Sequence, residues 1–178
     1  MISIEVNRMD KFSIHFYVQA VFGIMGHPRK FFSRLPQSGG MTQALGFLIL
    51  SAAFFSFASM MNTNLQNILV VGGIRMFNAV GMVFILAGLG YVAMTLGIGK
   101  NVGFVRFFGI YALCSGVTLL VSWIPHLALL TEPWKWYLIA IGMISGCGLK
   151  LKEALLIMAI SLGIWYLCFR TIMAIIIH

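Results

Sequence analysis

Apolar residues dominate five long runs of the chain, and short polar stretches separate these runs. A helix needs about 20 mostly apolar residues to cross the hydrocarbon core of a bilayer. The first run carries no charge, and a proline stands at the end of the third run and near the start of the fourth. We therefore predict an all-α membrane helix bundle with five transmembrane helices, over residues 42–61, 77–96, 107–124, 134–149 and 153–170.

Residues 1–41 precede these runs and form a separate cytoplasmic segment in this interpretation. Residues 12–25 are apolar except for polar and small positions that gather on one side of a helix, and they are too few to span a bilayer. We predict an interfacial amphipathic helix here, with Phe31, Phe32 and Leu35 dipping into the acyl chains. The alternative is that the segment packs on the protein. The predicted contacts to lipid headgroups are Arg29, Lys30 and Arg34.

The composition agrees with a membrane protein, because 61% of the 178 residues are hydrophobic and only 9% are charged. A soluble domain carries about a quarter charged residues, so a water-soluble globule is excluded. The formal charge is +8, from 12 basic and 4 acidic residues. Basic residues beside membrane helices meet anionic lipid headgroups, so this charge does not indicate nucleic acid as a partner.

Basic residues also favour one orientation, since translocation of Lys and Arg is disfavoured. With a cytoplasmic N-terminus, nine of the 12 basic residues lie inside, and Arg75, Lys135 and Arg170 lie outside. We predict an external C-terminus, with residues 171–177 as an apolar tail and residues 126–131 as an outer loop. The predicted anchors at the outer interface are Trp123, Trp134, Trp136 and Arg170.

Residues that carry chemistry are sparse. The three cysteines lie singly in separate runs, and the four histidines share no helix face. None of the four acids lies in the interior of a predicted span, because Glu153 is the first residue of the fifth. We therefore predict no catalytic, metal or cofactor site and no enzyme activity. Small residues do recur at helical spacing. They predict a helix-packing interface, within the chain or between chains, at Gly142, Ser145 and Gly146.

One stretch resembles a known family. The sequence FGIMGHPRKFF over residues 22–32, followed by Gly39-Gly40 and then ALGF over residues 44–47, is similar to the start of the Yip domain, named for proteins that interact with Ypt and Rab GTPases. The resemblance covers residues 22–169. It implies a five-span, non-enzymatic membrane protein that works through partners. The short N-terminal region resembles compact prokaryotic members more than the eukaryotic GTPase adaptors.

Two functions follow from these observations as hypotheses. The first is a scaffold or accessory subunit of a larger complex in a prokaryotic cytoplasmic (inner) membrane, with lipids and other integral membrane subunits as partners. The second is a transporter or lipid-handling protein. The absence of a charged residue at mid-depth in the predicted spans argues against coupled ion transport, whereas passage of a lipid between glycine-rich helices needs no such charge.

Overall fold

The computed structural model describes residues 13–35, 40–61, 68–100 and 102–177. This part of the chain is helical. Its helices, in chain order, are α1 (Ile14–Gly26), α2 (Pro28–Ser33), α3 (Met41–Met60), α4 (Ile68–Gly97), α5 (Phe104–Ser122), α6 (Pro125–Cys147) and α7 (Leu151–Ile177).

Helix α5 is the centre of the bundle. Every residue from Phe107 to Thr118 is buried, so this helix is covered on all sides. It packs on α3, α4 and α6, and more lightly on α1. A helix that is apolar all round fits such a position, because it has no polar face to turn toward solvent.

Contacts at the helix ends give an up-and-down arrangement. At one end, the Ser56 hydroxyl donates to the Gly72 carbonyl over 2.8 Å, which joins the end of α3 to the start of α4. The Ser122 and Thr131 hydroxyls lie 3.0 Å apart and join the end of α5 to the first half of α6. At the opposite end, the Lys100 ammonium donates to the Gly148 carbonyl over 2.7 Å, just after α4 and α6 finish. Successive long helices therefore run in opposite directions.

Four helices of the described chain are long and apolar enough to cross a membrane: Met41–Met60, Leu69–Gly97, Phe104–Ser122 and Leu151–Thr171. The predicted count of five spans is therefore not confirmed. Of the five helices that contain a predicted span, α6 is the one that is not among these four; its predicted span covers residues 134–149. Glu132, Pro133 and Lys135 lower its mean hydropathy in the first half.

Two helices start earlier than the apolar runs suggested. Helix α4 begins at Ile68, nine residues before the predicted start at 77, and helix α6 begins at Pro125. The predicted outer loop over residues 126–131 is wrong, because these residues are helical. Pro125 is at the helix start, and Pro133 lies inside the helix. A proline marks a helix start only when the residues before it cannot be helical, and here they can.

The C-terminal helix extends past the predicted boundary. Helix α7 is continuous through Arg170 to Ile177, so the backbone of the predicted apolar tail over residues 171–177 is helical. Its neighbours are α4 and, over a smaller area, α6.

Helix α1 packs along the side of the bundle. The Tyr17 ring lies 4.7 Å from the Phe47 ring, and its hydroxyl is 3.1 Å from that of Ser51. Ser51 is ten residues beyond the first residue of α3, which corresponds to a rise of about 15 Å. One face of α1 is therefore in contact with protein, as the alternative interpretation allowed. The location at the membrane interface stays a prediction.

The opposite face of α1 is apolar and open. Its exposed residues are Ile14, Val18, Phe22 and Met25. This spacing forms one stripe along a helix. Phe32 was predicted to dip into lipid, but it is fully buried inside the protein. The physical reason is that Gly142 on α6 leaves room for its ring, so the ring packs inside the protein instead of in lipid.

Candidate functional site

A cavity of about 510 Å³ lies where α1, α2, α3 and α5 meet. Its charged lining consists of Lys30, Arg34 and Arg106, and His27 also contributes to its wall. Lys30 belongs to α2, Arg34 follows it directly, and Arg106 lies in the first turn of α5. Side chains that are more than 70 positions apart in the sequence thus meet at one site. We call this site the basic cavity.

Packing of α2 explains how its cations reach the cavity. Phe32 is the buried residue of this short helix, and it lies against the α6 glycines. Gly23 of α1 permits a close approach of Phe31, because a Cβ at Gly23 would lie only 2.7 Å from Cδ2 of Phe31. The two aromatic rings of α2 therefore fix it between α1 and α6. Lys30 and Arg34 are then held on the cavity side.

The cavity has no acidic partner among the residues that the structure describes. The two described carboxylates, Glu132 and Glu153, pair instead with Lys135 and Lys100. The Arg106 Nε atom is buried and makes no hydrogen bond in the described chain. A buried donor without a partner is costly, so this atom calls for an anionic or polar ligand.

Two helix N-termini add to the positive potential. Helix α3 starts after Gly40 and helix α5 starts after Gly103, and glycine has no side chain that could cap the first backbone N–H groups. Gln43 in the first turn of α3 and Arg106 in the first turn of α5 both line the cavity. The free N–H groups of a helix start carry partial positive charge and favour anions.

The remaining wall of the basic cavity is largely apolar. The side chains of Phe16, Phe31, Leu35 and Leu113 contribute to it. Polar and apolar surfaces thus share one space, as in a site for an amphiphile. All three residues of the predicted headgroup trio are exposed, but only Lys30 and Arg34 line the cavity, and Arg29 is not one of its lining residues.

The predicted small-residue interface lies within the chain at two of its three positions. A Cβ at Gly142 would be 2.4 Å from Cγ2 of Ile110, and one at Gly146 would be 3.0 Å from Cδ1 of the same residue. Both glycines also lie 3.6 Å from atoms of Phe32 by the same measure. These two glycines therefore let α6 approach α5 and α2 closely. Ser145 is half-buried on the same helix.

The predicted anchors occupy the opposite end of the bundle from the basic cavity. Trp123 lies at the bend between α5 and α6, and Trp134 and Trp136 pack partly against the core. The Lys135 ammonium lies 5.5 Å from the centre of the Trp136 ring. Arg170 is exposed on α7. Their contact with lipid headgroups stays a prediction.

A second cavity of about 450 Å³ lies at this opposite end. Arg75, Asn78, Glu132 and Lys135 line it, and the Arg75 guanidinium donates to the Ser59 carbonyl over 2.9 Å. It is more balanced in charge than the basic cavity, because Glu132 pairs with Lys135 over 2.7 Å. Within the described chain, no three His, Cys, Asp or Glu residues are grouped in a way that could hold a metal ion.

The sequence shows glycines along α4, among them Gly81, Gly88 and Gly90, but only the structure tells which of them face outward. A Cβ at Gly73, Gly81 or Gly88 would meet no atom within 4 Å. These glycines lie within roughly 80° of one another around the helix, at 100° per residue. By contrast, a Cβ at Gly90 would lie 2.9 Å from the Tyr111 hydroxyl. We call the open face of Gly73, Gly81 and Gly88 the α4 glycine face.

A family model described as the Yip1 domain matches residues 22–172. The chain belongs to the Yip1 domain family. The match begins inside α1 and extends through α2 into α7, so it includes every candidate span and the charged lining of the basic cavity. No curated protein and no solved structure matches the chain in the corresponding comparisons.

Proposed function

We propose that this Yip1 domain protein is a non-enzymatic scaffold, an accessory subunit of a larger complex in a prokaryotic inner membrane. The observation that carries the proposal is the α4 glycine face, which the chain's own described helices leave uncovered. In lipid, helices associate through close backbone approach at small residues. Inside the bundle, a glycine such as Gly142 already lets a neighbouring helix of this chain pack closely against it.

The shape of this face supports a helix as its occupant. A shallow groove follows α4 between Gly73 and Ile85, and Phe77 and Gly81 are among the residues that line it. Phe77 is 81% exposed and Ile85 is 50% exposed, so both can pack on an incoming helix. A membrane helix of a partner subunit would pack its own side chains into the groove at the glycines, and would bury Phe77 and Ile85 as it does so.

Filling the groove tests this proposal. In Gly81→Leu, the added side chain enters open space in this chain, so the bundle should fold while a partner helix is blocked. Gly163→Leu on α7 is the matched control, because a Cβ at Gly163 also meets nothing within 4 Å. We expect Gly81→Leu to lose stoichiometric co-purifying subunits and Gly163→Leu to keep them. Retention of the same subunits by both variants would contradict the proposal.

The proposed topology has the N-terminus in the cytoplasm, five spans and an external C-terminus. Seven basic residues support it by gathering at the end of the bundle that holds the basic cavity. They are Arg29, Lys30, Arg34, Lys100, Arg106, Lys150 and Lys152. Helix α6 is proposed as the fifth span because it packs antiparallel along α5, from Thr131 beside Ser122 to Gly142 beside Ile110.

Labelling of single cysteines tests this topology. With the native cysteines replaced, a cysteine introduced at Arg29 should react with an impermeant thiol reagent only after cells are opened. A cysteine at Arg170 should react in intact cells. Equal protection of both sites would mean that Arg29 and Arg170 lie on the same side of the membrane. In that case α6 would not cross the membrane, and the proposed topology would be wrong.

Lipid handling is the second candidate function, and the basic cavity favours it. A space that is lined by cations and by apolar side chains suits a lipid headgroup. The two cavities touch opposite faces of α5, since Leu113 lines one and Tyr111 and Ser115 line the other. A lipid carrier should move labelled lipid between the leaflets of reconstituted vesicles, whereas a scaffold should leave this rate unchanged.

A further inference from the structure

We propose that the basic cavity is a binding site for the phosphate group of an anionic phospholipid. The site is made by Lys30, Arg34 and Arg106 around the phosphate, with the apolar wall holding the adjoining glycerol and the first part of the acyl chains. The inference goes beyond the scaffold function. It requires neither a partner on the α4 glycine face nor movement of the lipid.

The charge of the cavity is the first step of the argument. Three permanent cations face one space, and the described carboxylates are engaged elsewhere with Lys100 and Lys135. Arginine is suited to phosphate because its planar guanidinium donates two parallel hydrogen bonds. A phosphate would offset part of the positive charge of these three side chains.

The unpartnered donor on Arg106 is the second step. Its Nε atom is buried and has no hydrogen-bond partner in the described part of the chain. This side chain starts from the first turn of α5, where helix N–H groups also favour an anion. Surface attraction to a charged membrane would not require a buried donor. Because Arg106 also lines the cavity, a phosphate there would be a partner for this side chain.

The apolar wall is the third step, and it selects a lipid over a free anion. Phe16, Phe31, Leu35 and Leu113 would face water if only inorganic phosphate occupied the space. The volume of about 510 Å³ is also far larger than one phosphate needs and falls in the range of about 300–1,000 Å³ typical of ligand sites. Helix α1 forms part of this wall and carries an open apolar stripe on its other face.

Arg29 offers a matched control for the experiment. It lies on the same short helix as Lys30 and carries the same charge, but it does not line the cavity. If the basic residues were only attracted to a charged surface, replacing Arg29 or Lys30 would weaken lipid binding by a similar factor. If the phosphate binds in the cavity, only replacement of Lys30, Arg34 or Arg106 would weaken lipid binding strongly.

The experiment measures phosphatidylglycerol binding to the purified full chain in detergent by native mass spectrometry. Phosphatidylcholine and inorganic phosphate are titrated in parallel. The variants are Lys30→Gln, Arg106→Gln and the control Arg29→Gln. Loss of one charge-assisted hydrogen bond corresponds to a change of about 10- to 100-fold in affinity. We expect this weakening of phosphatidylglycerol binding for Lys30→Gln and Arg106→Gln, and a smaller loss, below about fivefold, for Arg29→Gln.

Three results would overturn the inference. Equal weakening by Arg29→Gln would indicate surface attraction only. Equal affinity for phosphatidylcholine and phosphatidylglycerol would remove the requirement for a net anion. Inorganic phosphate that binds as tightly as phosphatidylglycerol would indicate a free-anion site. Lys30 is exposed, so its replacement should not unfold the protein, and a melting curve for each variant separates loss of the site from loss of the fold.

Discussion

Phe32→Ala should release α2 from the bundle and thereby dismantle the basic cavity. Phe32 is the buried residue of this six-residue helix, and its exposed fraction is 0%. Removing a fully buried phenylalanine ring costs about 3–5 kcal/mol in protein cores. Because Phe32 supplies the buried contact of α2 with α6, we expect the loss to act locally. A cost of about 3 kcal/mol corresponds to roughly a 10²-fold increase in the population with α2 detached.

Hydrogen exchange measures this population directly. The backbone N–H groups of Phe31, Arg34 and Leu35 donate hydrogen bonds within the turn, so they report on whether it is closed. In Phe32→Ala these amides should exchange roughly 10²-fold faster, while amides of α5 keep their rates. Phe22→Ala is the control, because Phe22 is 73% exposed. Equal exchange of α2 in both variants would refute the anchoring role of Phe32.

Three further changes separate packing, docking and charge. Gly142→Ala should lower the free energy of unfolding by about 1–3 kcal/mol, and with it the melting temperature, because the added Cβ would lie 2.4 Å from Ile110 and overpack the core. Gly88→Ala should not lower the melting temperature, because its Cβ would meet nothing within 4 Å. Truncation after Arg170 removes the last turns of α7 and should reduce assembly with partner subunits, as measured by the native mass. Lys100→Gln removes a 3.2 Å ion pair to the start of α7 and should lower the melting temperature less at high salt than at low salt.

The central helices of the fold follow closely from local sequence signals. Helix α3 begins one residue before its predicted start at 42, and α5 runs over Phe104–Ser122 against a prediction of 107–124. In both cases a polar stretch that ends in glycine precedes the apolar run, over residues 36–40 before α3 and residues 99–103 before α5. A clear change of composition at both ends makes such helices predictable from the chain alone.

Helix α6 was harder to predict because its first half is mixed in composition. Glu132 and Lys135 break the apolar pattern, and Pro133 resembles a start signal although it lies inside the helix. Tertiary contacts decide this region, notably the Ser122–Thr131 pair and the burial of Thr131. Local propensity cannot report contacts to a preceding helix.

The basic cavity could be predicted only in part. The charge of the Arg29, Lys30 and Arg34 cluster is visible in the sequence, and so is its position before the first span. Its division into cavity and surface residues depends on the direction that α2 takes, which Phe32 fixes by packing on a helix more than 100 positions away. The same packing brings in Arg106.

The most direct test of the scaffold proposal is the mass and composition of the protein purified from its native membrane in mild detergent. We predict a particle heavier than the 19.7 kDa chain, with other integral membrane subunits at fixed stoichiometry. A bare monomer or a homo-oligomer would contradict it. In that case the lipid flux assay would become the next experiment, with the basic cavity as its starting point.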